Sequence, residues 1–179
     1  VTETGVAVSI GTNFSSCNIP MAEVSESLHV PILGTAASNP LVTIAENGQL
    51  HKYSFRMCFL DDYIGTACAT AAYEKLGFRN AAIIQVLDDA NSTSVSACIE
   101  EQFTALGGKI VANESCNGGD TEFRAQVAKI KDANPDVIFV IINNYAMVAN
   151  FAKQAREIGI ECTFVAHDVW DSEELYNEA

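Results

Sequence analysis

The chain has 179 residues, 49% apolar and 18% charged, and carries a formal net charge of −13. Those values allow one domain or two small lobes and exclude an intrinsically disordered chain. The acidic balance repels phosphate backbones and anionic lipid, so nucleic acid is not expected as a partner. No run approaches the ~20 apolar residues of a membrane-spanning helix.

Taken in order, Val6–Ile10 is an apolar run closed by Gly11 and predicts a buried strand. After a polar loop, Ser15 or Ser16 suits the N-cap of a helix carrying Met21, Val24 and Leu28 on one face, and His29 suits its C-terminal cap. Val30–Leu33 is the next strand. It runs into the small residues Gly34-Thr35-Ala36-Ala37-Ser38 and is closed by Asn39-Pro40. A buried strand ending in a small, hydroxyl-rich loop leaves backbone groups reachable. That suits a small polar ligand at the carboxyl end of a strand in an α/β sheet, although an ordinary strand exit carries the same letters. Tyr53–Cys58 is a further strand after the Asn47-Gly48 turn.

Asp61-Asp62 then caps a helix through Leu76, ended by Gly77. Ala81–Leu87 reads as strand, Ser92–Leu106 as helix and Lys109–Ala112 as strand. After the turn Asn117–Asp120, Asp120 or Thr121 caps a helix through Lys131, broken at Asn134-Pro135. Asp136–Ile142 is the most apolar strand, Ala146–Ile158 a helix, Cys162–Val165 a strand, and Glu173 starts a further helix. Strands alternate with helices and are continuous apolar runs, which predicts an α/β fold of parallel sheets covered on both faces. The spacing changes character over Arg56–Asp62, where a boundary between two α/β units is expected.

The six cysteines form no C-x-x-C and the three histidines are scattered, so no metal and no cofactor is expected. Most cysteines lie in apolar patterns, where a thiol acts as a small hydrophobe, while pairing of some in an oxidising compartment stays open. There is no G-x-S-x-G, no G-x-G-x-x-G and no P-loop, and Asp61-Asp62 and Asp88-Asp89 sit at helix starts where capping explains them. A catalytic role is therefore not expected. Val1 is not an initiator methionine and no signal-peptide pattern opens the chain, which reads as processed or cut from something longer.

In this order several local patterns line up. Gly11 through Pro20 has a Gly, a Ser pair and a helical Pro. Pro31 through Thr43 reads P-hydrophobic, small-Ser/Thr, P-x-x-T. Phe55-Arg56 precedes Asp61 and Gly65, and Asp88-Asp89-Ala90 forms an acidic loop. Gly119 through Phe123, Asn134 through Ile138 and Lys153 through Gly159 follow. Together they resemble the type I periplasmic binding proteins, in particular the leucine/isoleucine/valine-binding family of ABC transporters. The resemblance spans the whole chain and implies a two-lobed architecture, each lobe a parallel sheet with helices on both faces. Residues 1–58 would be the latter part of lobe one and 59–179 most of lobe two, with both lobes incomplete because the family's usual chain is longer.

The resemblance implies a non-enzymatic, extracytoplasmic solute-binding protein, periplasmic or lipid-anchored. Such a protein closes two lobes over an amino acid in a hinge motion and feeds a membrane ABC permease. Two alternatives are the ligand-sensing domain of a signalling receptor and, from a different class, a cytoplasmic flavodoxin-like α/β enzyme. By position, Ser15 and Ser38 would hold a carboxylate, with Ser16 and Ala37 beside them, and the Ala36 carbonyl would face an ammonium. Asp168 matches the family's acidic ligand residue and would pair with that ammonium through charge-assisted hydrogen bonds. A plain N-cap is the competing role for both Ser15 and Asp168. His167 and Trp170 line the pocket or cover the lobe edge, the covering role being favoured for His167. Where the family commonly has an aromatic residue after the acidic loop, this chain has Asn91, then Ser92 or Thr93 as a further anion-binding candidate. With Asn144 and Tyr145 at the second contact point, Asn91 implies a pocket more polar than one selecting leucine, suited to other amino acids or small amides.

Overall fold

Among the described residues every pairing between named strands is parallel, in two separate sheets, and one isolated antiparallel bridge joins Ile44 and Leu50. The structure, a computed structural model, describes residues 5–167 together with Trp170 and Glu173. The chain divides into two compact units, Val1–Asp61 with Asp89–Asn91, and Asp62–Asp88 with Ser92–Ala179.

The first unit contains β1 (Ser9–Ile10), α1 (Ser15–Leu28), β2 (Ile32–Gly34), a 3-10 turn (Pro40–Val42) and β3 (Ser54–Arg56). The strands lie in the order β1-β2-β3. The run Val6–Ile10 does not form the buried strand expected of it. Only Ser9 and Ile10 pair, and Val6, Val8 and Ile10 are exposed. β1 is an edge strand, and apolar letters do not reveal whether a neighbour covers them. The helix face also differs from expectation. α1 buries Ser15, Asn18, Ala22 and Ser25, while Val24 of the apolar stripe is exposed. The cause is close approach, since a Cβ on Gly34 would lie 2.8 Å from Asn18 Nδ2. Small residues therefore replace large ones where the helix meets the strand. The helix ends at His29, left-handed with φ 53°, whose N–H reaches Ser25 O, as expected of a cap.

In the second unit the helix that begins at Asp61 runs as α2 (Asp61–Thr70) and changes to a π turn (Ala71–Lys75). Then follow β4 (Asn80–Val86), α3 (Ala90–Ala105), β5 (Lys109–Cys116), α4 (Arg124–Ala133), β6 (Val137–Ile141), α5 (Tyr145–Glu157) and β7 (Thr163–Val165). The sheet order is β5-β4-β6-β7. Residues alternate between two cores. Ala81, Ile83, Val137, Phe139 and Ile141 pack with Val95, Ile99 and Phe103, whereas Ala82, Ile84, Val86, Ile138 and Val140 pack with Phe123, Val127, Val148 and Phe151. Burial on both faces is why these strands are continuous apolar runs. α2 meets α3 so closely that a Cβ on Gly65 would stand 2.6 Å from Cys98 Cβ.

Two boundaries depart from the sequence reading. β5 runs on through the polar Asn113 and Glu114, because an edge strand tolerates them and Asn113 bonds Gln85 and Glu100. α4 starts at Arg124 with Phe123 in the cap position, not Asp120 or Thr121. Asp120 accepts the Asn117 N–H instead, closing the preceding turn, while the Phe123 N–H is satisfied by Gln154 Oε1 at 2.7 Å. The helix expected from Glu173 onward lies outside the described residues apart from Glu173 itself.

Candidate functional site

The loop that leaves β2 has no strand to satisfy its carbonyls, and buried backbone groups need partners. Arg56 supplies them from β3, where it stands opposite Gly34 in register. Its Nη1 donates to the carbonyls of Ser38 at 3.0 Å and Asn39 at 2.8 Å, and its Nη2 to Thr43 Oγ1 at 2.7 Å. A planar guanidinium fork fits three acceptors at fixed angles, which an ammonium does not. The Ser38 carbonyl also receives the Asp61 N–H at 3.2 Å. Asn39 caps the following 3-10 turn through Oδ1 and donates Nδ2 to the Ala90 carbonyl at 3.0 Å.

On this frame three of the expected ligand residues converge within the first unit. Ser15 Oγ accepts the Asn39 N–H at 3.2 Å, next to Ser38 in the chain. Asn91 Nδ2 donates to Ser38 Oγ at 2.9 Å and to Asp61 Oδ1 at 2.8 Å. Ser15, Ser38 and Asp61 are buried and Asn91 is half-buried. The N-cap role expected of Ser15 or Ser16 is not found, since Phe14 holds that position without a side-chain bond. The Ser15 hydroxyl has a tertiary partner that wins over the local one. Ser16 and Ala36 are exposed, and Ala37 is fully buried.

The carboxyl end of the second unit's sheet is bound up in its own turns. Asp88 Oδ1 accepts the Gly118 N–H at 2.7 Å, while Asp89, in the first unit, accepts the Asn91 N–H at 2.9 Å. Burial, with Asp120 and Asp88 adding repulsion, pushes the Cys116 thiol up to about 11. Asn144 caps α5, accepting the Met147 N–H at 3.1 Å, and Tyr145 follows half-buried as its first residue. Ser92 does not present an anion site. Its hydroxyl is fully buried, accepts the Val86 N–H at 2.8 Å and donates to the Ile141 carbonyl, tying β4 to β6. His167 is buried, and Trp170 packs against the core under α4 and α5. Asp168 lies outside the described residues.

Arg56 and Asp61 of this network carried no site expectation, nor did Asn39 and Thr43. Arg56 was visible only as a motif letter and Asp61 as a helix start. The signal that marks them is a charged side chain amid the apolar and small residues that flank a strand end, where burial demands partners. Among the described residues no three His, Cys, Asp or Glu side chains form a metal-sized group, and no helix is long and apolar enough to cross a membrane. A separate concavity of the first unit, about 440 Å³, is lined by Ile19, Glu23, Leu41 and His51 among others, and contains none of the expected site residues.

The family model described as periplasmic binding protein matches residues 1–175. An amino acid binding protein of Pseudomonas aeruginosa is 27% identical over 170 residues, covering 95% of this chain and 44% of that protein. Among solved structures, a leucine binding protein from Thermotoga maritima superposes with a TM-score of 0.91 at 30% identity, covering 98% of this chain and 48% of that one. The branched-chain amino acid transporter substrate binding protein of Streptococcus pneumoniae, in complex with isoleucine, gives 0.87 at 25% identity, covering all of this chain and 49% of that one. The chain thus spans about half the length of these relatives.

Proposed function

This chain belongs to the periplasmic binding protein family, and on that premise we propose that the protein captures an amino acid or similar small polar solute outside the cytoplasm, without catalysis, for uptake through a membrane ABC permease. Residues 1–58 then form the latter part of one lobe and 59–179 most of the other. The first lobe then contributes Ser15, Ser16, Ala36, Ala37 and Ser38, and the other Asn91, Asn144, Tyr145 and Asp168. Periplasm or a lipid anchor at the cell surface is the corresponding location.

The observation that carries this reading is the buried pair of hydroxyls at the carboxyl end of β2. Ser15 Oγ is fixed by the Asn39 N–H and Ser38 Oγ by Asn91 Nδ2. A hydroxyl that accepts one bond keeps its own proton to give, which is what a carboxylate requires. Ser15 also opens α1, and a helix N-terminus favours an anion. The names of the Pseudomonas and Thermotoga relatives point to amino acids, and Asn91 makes the site more polar than a branched side chain needs. Calorimetric titration of the full-length protein with a panel of L-amino acids tests the reading. Binding of at least one is expected, weakened roughly tenfold or more by Ser38→Ala. Absence of heat for every amino acid would refute it.

A further inference from the structure

A buried imidazole without a hydrogen bond borders the separate concavity of the first unit. Three elements wall that space. Ile19 and Glu23 belong to α1, Leu41 to the 3-10 turn, and Ala45, Glu46 and His51 to an arm of residues 43–51. The arm folds back on itself, with the Ala45 N–H on the Gln49 carbonyl at 2.8 Å and the His51 N–H on the Thr43 carbonyl at 2.9 Å. The His51 side chain is 6% exposed, and its ring contacts a charged group only at Glu23 Oε1, 3.7 Å away. That separation is beyond hydrogen-bond reach. Buried polar groups are as a rule hydrogen-bonded, and the adjoining space of about 440 Å³ is large enough to supply the partner that His51 lacks.

The lining defines the chemistry of that partner. Glu23 and Glu46 bring two carboxylates, and no lysine or arginine is among the described lining residues, so a cation is favoured. A metal ion does not fit, because no three described His, Cys, Asp or Glu side chains stand close enough to share one. The volume suits an organic ligand, and Ile19, Leu41 and Ala45 give its stem an aliphatic wall. A quaternary ammonium has no hydrogen to give to a carboxylate or an imidazole, and the aromatic cage that holds such ions is not present in the lining. We infer that this concavity binds a small aliphatic amine or guanidine as its cation, with its N–H groups shared among Glu23, Glu46 and a ring nitrogen of His51. A free amino acid is a poor occupant, since its own carboxylate meets Glu23 and Glu46. The site is separate from amino-acid capture, and none of the residues proposed for that capture lines it.

Amide chemical-shift titration of the full-length protein decides, with four probes. These are pentylamine, pentylguanidine, pentyltrimethylammonium and norleucine, which is pentylamine bearing an α-carboxylate. Pentylamine and pentylguanidine are expected to move the amides of Glu23, Ala45 and His51 saturably, with a Kd on the order of 1 mM. The quaternary ion and norleucine are expected to leave those three amides in place. Glu46→Gln, at an exposed position of the arm, is expected to weaken pentylamine binding about fivefold or more with the melting transition kept. His51→Phe keeps a ring, removes both nitrogens and is expected to weaken it likewise. Should His51→Phe lose its cooperative melting, Glu46→Gln carries the decision. Silence of the three amides toward both cations overturns the proposal, as does an equal response to norleucine or to the quaternary ion. Unchanged binding by Glu46→Gln or by a folded His51→Phe overturns it too. The amides of Ser38 and Asn39 report amino-acid capture in the same spectra, so either reading can fail alone.

Discussion

The two units are built on opposite principles. The second is held by apolar burial. Phe103, Phe139, Phe123 and Phe151 are fully buried, and the strands β4 and β6 are covered on both faces. The first buries few large apolar side chains, Ile32 and Val42 among them, and many small polar ones: Ser15, Asn18, Ser25, Ser38, Asn39, Ser54 and Asp61. Its large apolar residues stand outside instead, with Ile10 70% and Phe59 69% exposed. Apolar packing is non-directional and scales with area, whereas hydrogen bonds fix angles. The loop after β2 is therefore fixed by a guanidinium and amides, at a cost in apolar area. The difference teaches that unit two is held chiefly by buried apolar area and unit one chiefly by directed hydrogen bonds.

The largest effect that would break this contrast is in the second unit. Phe139 is fully buried, with its ring 5.7 Å from that of Phe103 in an edge-to-face pair. Phe139→Ala is expected to destabilise the fold by about 3–5 kcal/mol in urea unfolding; a loss under 1 kcal/mol would contradict an area-driven core. Next comes Arg56→Met in the first unit, which keeps the stem and removes three bonds. A cost of about 1.5–3 kcal/mol is expected, read as faster hydrogen exchange at the amides of Asn39 and Asp61 while those of β4 and β6 hold. Equal acceleration in both units would show that the two kinds of hold are not separable.

The smallest effect sharpens the comparison through two thiols. Cys17 is exposed on α1, whereas Cys116 is buried, its thiol pointing to the Gln85 carbonyl. Burial raises the Cys116 pKa from 9.0 to about 11. A raised folded value means that the neutral thiol is the form the native state keeps. Its contribution to stability is present below pH 9.0 and is lost as pH rises toward about 11. Native-state alkylation at neutral pH should modify Cys17 and spare Cys116, and stability should fall over that alkaline window. Rapid native labelling of Cys116 would contradict its burial.

How far the fold was legible follows the same division. In the second unit, strands such as Asp136–Ile142 announced themselves because both faces are apolar, and β6 was observed as Val137–Ile141. In the first, Val6–Ile10 has the same letters without the same cover, and periodicity cannot see a neighbour. Helix starts were misplaced where a side chain chose a partner other than the helix: Ser15 turned to the distant Asn39, and Asp120 to its own preceding turn. Of the hydrogen-bonded network, Ser15, Ser38 and Asn91 were singled out only through the family resemblance, whereas Arg56 and Asp61 become visible only once β3 and the Asp61 amide meet the loop. Hydrogen bonds between residues far apart in sequence leave little local signature.

One peptide group in that loop does more than hold its place. The Ser38 carbonyl and the Asn39 N–H belong to the same amide. The carbonyl receives Arg56, and the N–H points at Ser15 Oγ. A cation on the oxygen draws electron density across the amide plane and makes the N–H more acidic, and hydrogen bonds in series polarise one another. The polarity therefore passes from guanidinium to peptide to hydroxyl, and the Ser15 O–H emerges as a stronger donor than an isolated serine, although the arginine never touches it. In effect, a fixed positive charge on β3 is felt at the first turn of α1 through a single amide.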